Sequence, residues 1–246
     1  MFNLENKTLV ITGATVGLGS ELINSLKNQY DSLQIIVLDL PDRIEQCTLL
    51  NDIHYISLDL RDIKSIKSAF MKIKNEYSII DILINNAGIN KLAPALNVSE
   101  KTWDEIVNVN MKGTFFVCKE AFPCLIKSEH ASIINIASQF SVVGGKYRAP
   151  YAASKAGIVA LTKVLALEWS VYGIRVNAIS PTVCKKQNNQ VLLDIDSIKK
   201  AYLDEIPMGR FCQPNDILGV VIFLASNSSE MITGHNLIID GGWTIK

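Results

Sequence analysis

Apolar residues in this 246-residue chain fall into two alternating rhythms. Short, almost uniformly apolar runs rich in β-branched residues read as strands at Thr8 to Thr12, Gln34 to Leu38, His54 to Ser57, Ile79 to Ile84, Ser132 to Ile136, Arg175 to Ile179 and Asn236 to Ile239. Between them apolar positions recur every three or four residues, which predicts helices over Gly17 to Lys27, Asp62 to Asn75, Thr102 to Leu125, Pro150 to Val171 and Asp216 to Ala225. Strands without a polar face are buried on both sides, so the alternation predicts a single α/β domain spanning residues 1–246: a doubly wound sheet of seven mainly parallel strands, with helices on both faces. Asp62 and Ser99 stand where a side-chain oxygen can accept first-turn amides. The charge-rich, poorly periodic stretch Lys185 to Glu205 marks a lid over about 182–212.

Composition narrows the partners. Twenty-four Lys and Arg balance twenty-four Asp and Glu, so no basic face is indicated for nucleic acid or an anionic membrane. No apolar run reaches membrane-spanning length, and the opening MFNLENKTLV lacks the basic-then-apolar order of a secretory leader. Cys47, Cys118, Cys124, Cys184 and Cys212 are odd in number and form neither a C-x-x-C pair nor zinc-ligand spacing. They read as reduced thiols of a soluble, cytoplasmic protein that binds a small molecule and no metal.

The segment TGATVGLG follows the first strand and opens the first helix, the context in which a Gly-rich turn cradles a dinucleotide diphosphate. In it Gly13 makes the turn, Gly17 lets the backbone approach the diphosphate, and Gly19 allows close helix-to-strand packing; Thr15, Val16 and Leu18 complete the cradle. Asp39 ends the second strand twenty residues after Gly19, where a carboxylate can accept both ribose hydroxyls of an adenosine. With Val16 rather than arginine before Gly17, a 2′-phosphate would meet that carboxylate, which favours NAD over NADP. The plain alternative makes Asp39 the start of a solvated loop with Pro41-Asp42-Arg43. Asp59 can hold an adenine amino group or cap the next helix, and in Asn85-Asn86-Ala87-Gly88 Asn86 can line the crevice or fix a turn. Leu40 and Leu60 follow the two acids into the same pocket.

Tyr151 and Lys155 lie four apart on a predicted helix and so share a face. A phenol with an unperturbed pKa of about 10 is a poor base at neutral pH, but a neighbouring ammonium favours its phenolate. Lys155 supplies that charge and can also reach a nicotinamide ribose. Ser138, at the end of the fifth strand, can hold a substrate oxygen.

Taken in order, TGATVGLG, NNAG, NVN, Ser138, YAASK and the final DGG make the chain resemble a short-chain dehydrogenase/reductase over almost its whole length. The resemblance implies a Rossmann-type fold and a hydride transfer in which Tyr151 is the general acid-base, Ser138 polarises the carbonyl and Lys155 lowers the tyrosine pKa. Asn110 would complete the tetrad by helping to hold a water that links Lys155 to solvent. A homotetramer is also implied, built on the two long helices and the C-terminal strand region. After the sixth strand the family pattern Pro-Gly-x-x-x-Thr is replaced by Pro181-Thr182-Val183-Cys184-Lys185-Lys186. Pro181, Thr182 and Cys184 would still meet the nicotinamide carboxamide, and Lys186 would either reach a phosphate in place of the threonine or, with Lys185, belong to an exposed loop.

Substrate choice is expected from Ser138, Gln139, Arg148 and Tyr151, with Asn90, Lys91, Lys146 and Tyr147 on the rim. Such polar and basic surroundings suit a polyol, sugar or sugar acid, and the segments Ala137-Ser138-Gln139 and Asp240-Gly241-Gly242-Trp243-Thr244 are loosely similar to family dehydrogenases of that kind. A 3-oxoacyl-thioester reductase is the alternative, opposed by Asp39 and Val16. A nucleotide-sensing scaffold without chemistry is a third, opposed by the intact Ser-Tyr-Lys-Asn set.

Overall fold

The computed structural model describes residues 2–47, 52–185 and 193–246. Seven parallel strands form one sheet in the order β3-β2-β1-β4-β5-β6-β7: β1 Thr8–Thr12, β2 Gln34–Asp39, β3 Ile53–Ser57, β4 Ile82–Asn85, β5 Ser132–Ile136, β6 Arg175–Pro181 and β7 Asn236–Ile239. Successive β1 residues point to opposite sides. Leu9 and Ile11 enter a core roofed by α1 (Gly17–Gln29) and α8 (Pro214–Ala225), while Val10 enters one roofed by α3 (Ile63–Glu76), α5 (Thr114–Leu125) and α6 (Ala149–Trp169). The two layers explain why the strands lack a polar face. The chain winds outward in both directions from β1 and β4, so the crevice beyond their carboxyl ends is the natural ligand site of this Rossmann-type fold.

Both expected caps are present: Asp62 accepts from the Lys64 amide at 2.9 Å and Ser99 from the Thr102 amide at 3.2 Å. Four departures from the sequence reading have local causes. Strand β4 begins at Ile82 because the Asp81 carboxylate is spent on the Thr8 amide at 2.9 Å and the Ser128 hydroxyl at 2.6 Å, and the Ile80 amide turns to the Cys124 carbonyl. Pro41–Gln46 forms a short helix, α2, where Pro41 in the first turn presets the backbone. The helix expected over Thr102 to Leu125 starts as α4 (Glu100–Val107), passes through a π-helical turn at Asn108–Gly113 and continues as α5. Within the expected lid, Asp196–Leu203 is a helix, α7, seated through Leu203 and Tyr202 on Leu193, Ile206, Phe211 and Trp243. Among the described residues no helix is long and apolar enough to cross a membrane, and no acidic, His or Cys cluster is placed to hold a metal.

Candidate active site

The Gly-rich turn is held from across the sheet. Gly13 has φ +67°, and a Cβ there would come within 2.7 Å of the Ala87 backbone, so only glycine fits. The Asn86 side-chain amide donates to the Thr12 and Gly13 carbonyls at 3.0 and 2.7 Å, while the Thr12 hydroxyl accepts from the Asn86 and Ala87 amides at 3.2 and 3.1 Å. Asn86 therefore does fix the turn. The α1 N-terminus begins after Val16 without a side-chain cap, which leaves its first amides and the positive end of the helix dipole for an anion.

Asp39 is buried and faces the same turn. One carboxylate oxygen accepts from the Thr15 hydroxyl at 2.6 Å and the Thr15 amide at 3.2 Å, and the other accepts from the Leu40 amide at 2.9 Å. The loop alternative thus gives way to a carboxylate pinned in place. Arg43 on α2 lies 3.9 Å from it, a cation the sequence reading passed over because α2 itself was not foreseen. Asp59 is clamped by the Arg61 guanidinium at 2.7 to 3.1 Å, which holds its carboxyl below the ordinary value. Asp39, Leu40, Asp59, Leu60, Ala87 and Gly88 line a cavity of about 190 Å³ with Gly13, Arg43 and Arg61, the right surroundings for an adenosine.

Gly88 continues into a second, larger cavity of about 870 Å³ that is walled by Ser138, Tyr151, Lys155, Pro181, Thr182 and Cys184. Lys155 is almost fully buried; its Nζ donates to the Ile136 carbonyl at 2.6 Å and lies 5.8 Å from the centre of the Tyr151 ring. Burial pulls its pKa down to about 8. The Tyr151 phenol moves the opposite way, raised by burial and held back first by a hydrogen bond with Ser138 and then by the Arg148 charge. Ser138 and Arg148 oppose that rise without cancelling it, while the Lys155 amine is desolvated and anchored on a carbonyl.

Asn110 sits in the π-helical turn, fully buried. Its Oδ1 accepts from the Ile89 amide at 2.8 Å, and its Nδ2 donates to the Ile89 carbonyl and the Ser154 hydroxyl, both at 3.0 Å. A Cβ on Gly88 would touch both Asn110 Oδ1 at 3.3 Å and Lys155 Nζ at 3.4 Å, so the three meet at one point. Gln139 is buried in the wall beside Ser138, and Arg148 lies over the Phe140 ring at 4.9 Å while donating to the Tyr202 hydroxyl at 2.9 Å. Tyr202, on the far side of the cavity, had no local signal in sequence. Asn90 lines the cavity, whereas Lys91, Lys146 and Tyr147 do not; Lys91 turns to Glu105 at 2.6 Å, where an oppositely charged partner is available. Lys186 lies outside the described residues.

An uncapped helix N-terminus, a cavity of about 190 Å³ beside Asp39 and a Ser-Tyr-Lys cluster stand along one crevice. A short-chain dehydrogenase family model described as enoyl-(acyl carrier protein) reductase matches residues 13–244. The chain is 38% identical over 249 residues to the 2-dehydro-3-deoxy-D-gluconate 5-dehydrogenase of Escherichia coli, covering 100% of this chain and 98% of the relative. It is 36% identical over 258 residues to an NAD-dependent glycerol dehydrogenase of Listeria innocua, covering 100% and 96%. Among solved structures, a gluconate 5-dehydrogenase from Burkholderia cenocepacia in complex with NADP and tartrate superposes with TM-score 0.89 at 29% identity, covering 100% and 98%. The chain belongs to the short-chain dehydrogenase/reductase family and is an oxidoreductase of CH–OH groups.

Proposed function

We propose that the protein reversibly oxidises a secondary alcohol of a small polyol, sugar or sugar acid to the ketone, with NAD as the preferred cofactor. Similarity to the sugar-acid and glycerol dehydrogenases supports the substrate class. The observation that carries the reading is the convergence of Ser138, Tyr151 and Lys155 on one cavity wall that is continuous through Gly88 with the adenosine cavity.

The nicotinamide, when bound, accepts a hydride from the carbinol carbon or returns one to the ketone. Diphosphate would lie on the uncapped α1 N-terminus at Thr15, Val16, Gly17, Leu18 and Gly19, and the nicotinamide end along Pro181, Thr182 and Cys184. The ribose would take up the carboxylate of Asp39, whose negative charge disfavours a 2′-phosphate; Arg43 is already beside that charge. In the oxidative direction Tyr151 takes the proton from the substrate hydroxyl while Ser138 holds the same oxygen; burial raises the phenol, so its ionised form would depend on the positive charge of the oxidised nicotinamide together with Arg148. In reduction the phenol returns that proton to the alkoxide formed as hydride arrives. Lys155, with a pKa of about 8, titrates near working pH, so it can pass a proton onward as well as hold the nicotinamide ribose. Asn110 fixes the Ile89 backbone and the Ser154 hydroxyl beside this pair and stands where a proton-relaying water would bind.

The same reading makes 182–212 a substrate lid, the active form a homotetramer and the compartment cytoplasmic. Exposed Trp103, Phe115, Val164 and Leu167 on the helices, Val171 in the turn after α6, and Met231, Ile238 and Ile245 at the C-terminal end are the apolar surfaces that assembly would cover. The test is reduction of NAD or NADP with a panel of polyols and sugar acids, using Tyr151→Phe as control. Turnover with NAD that falls by about 10³-fold or more in the variant, with nucleotide binding retained, is the expected result; equal turnover in both proteins sinks the tyrosine mechanism.

A further inference from the structure

Four buried side-chain atoms among the described residues have no hydrogen-bond partner, and three of them belong to one cavity. They are Gln139 Nε2, Gln139 Oε1 and Thr182 Oγ1; the fourth, Asn85 Oδ1, lies inside the sheet. Gln139 is only 1% exposed, so neither end of its amide is satisfied by bulk water. A buried amide left unpaired is costly, and a chain retains one where a bound group completes it.

Local structure explains the aim. Strand β5 ends at Ile136, Ser138 Oγ accepts from the Phe140 amide at 3.3 Å, and the resulting tight turn over Gln139–Ser141 places the two side chains side by side. The Gln139 backbone carbonyl is already taken by the Val142 and Val143 amides at 3.0 and 3.2 Å. Its side-chain amide keeps both polar atoms unpaired.

Resting on the proposed dehydrogenase reading, we propose that Gln139 is the specificity-determining residue of the substrate cavity and reads a hydroxyl on the carbon next to the reacting one. A hydroxyl both donates and accepts, so it satisfies the Oε1 and the Nε2 of one amide together. A carboxylate offers acceptors alone, and the methylene of an acyl chain offers neither. Arg148, which lies over the Phe140 ring and donates to the Tyr202 hydroxyl, lines the same cavity. Thr182 Oγ1, where the family pattern has glycine, gives a second unpaired hydroxyl in the same wall.

The test compares kcat/KM for 2,3-butanediol and 2-butanol with NAD in the wild type, in Gln139→Leu and in Gln139→Met, the last keeping an unbranched chain of similar length. The wild type is expected to prefer the diol, and both variants to lower the diol-to-monoalcohol ratio by about tenfold or more, since a site built to bond a hydroxyl discriminates by that bond. Melting temperatures of the ligand-free variants are expected to equal or exceed that of the wild type, because an unpaired amide is removed. A ratio unchanged in both variants overturns the role of Gln139 and leaves the dehydrogenase reading standing. A wild type inert toward both alcohols yet active on a 3-oxoacyl thioester overturns the substrate class and the role of Gln139 together.

Discussion

The two ends of the crevice are built on different terms. At the nucleotide end polar side chains are paired within the chain: Thr12 with the Asn86 and Ala87 amides, Asn86 with the turn carbonyls, Asp39 with Thr15, Asp59 with Arg61. At the substrate end Gln139 and Thr182 keep polar atoms without partners, and part of the lining comes from α7 and its flank, at Leu193, Ser197, Ala201 and Tyr202. A ligand with an invariant shape can be met by a cradle that is finished beforehand, which lowers the ordering cost of binding. Selectivity among similar alcohols is better served by groups that only the right substrate completes. Lys155 sits between the two ends, charged at a cost in stability for the sake of chemistry.

Replacing that lysine is the strongest way to break the contrast. Lys155→Met is expected to lower kcat by about 10³-fold while stabilising the ligand-free fold. Folding moves the amine from 10.5 down to about 8, so the folded state binds its proton less tightly than the unfolded chain does. The resulting penalty is full below pH 8, about 3 kcal/mol, less about 1 kcal/mol for the Ile136 carbonyl left without its donor. It fades as pH rises from about 8 towards 10.5, so the stability gap between variant and wild type in urea unfolding should narrow across that window. A gap independent of pH would place the destabilisation elsewhere.

Asp39→Ser probes the finished end. Loss of the carboxylate frees Thr15 and removes the repulsion against a 2′-phosphate, so NAD affinity should fall by about tenfold and the NAD-to-NADP ratio of kcat/KM should fall with it. Calorimetric titration with both nucleotides checks this, and an unchanged ratio would take Asp39 out of cofactor choice.

Arg148→Met sharpens the view of the other end with a smaller effect. The Arg148 charge restrains the pKa of Tyr151, so its removal lets that pKa rise, and the rate of alcohol oxidation should climb at higher pH than in the wild type. A pH–rate profile that stays in place would take Arg148 out of setting the phenol and leave burial and Ser138.

The strands were legible because most are buried on both faces and carry continuous apolar runs; β1, β5 and the partly exposed β7 match to the residue. Tyr151 and Lys155 were legible because the four-residue spacing of a helix is fixed locally. The interruption at Asn108–Gly113 was not, since the apolar rhythm runs straight through a π-helical turn and only its neighbours reveal the displaced Asn110. Lys91 read as a rim residue because sequence cannot show that Glu105, fourteen positions on, would claim it.

The sequence by itself determined the doubly wound sheet, the Gly-rich turn and the placing of Tyr151 and Lys155 on one helix face, because hydrophobic period, glycine geometry and helical spacing act over a few residues. Tertiary structure decided the electrical and hydrogen-bonding state of those side chains: which are buried, which are paired and which are left open. Burial raises Tyr151 and lowers Lys155, distant Tyr202 pairs with Arg148, and Gln139 keeps both amide atoms unpaired. Desolvation and pairing depend on neighbours drawn from the whole chain, and those neighbours exist only once it has folded.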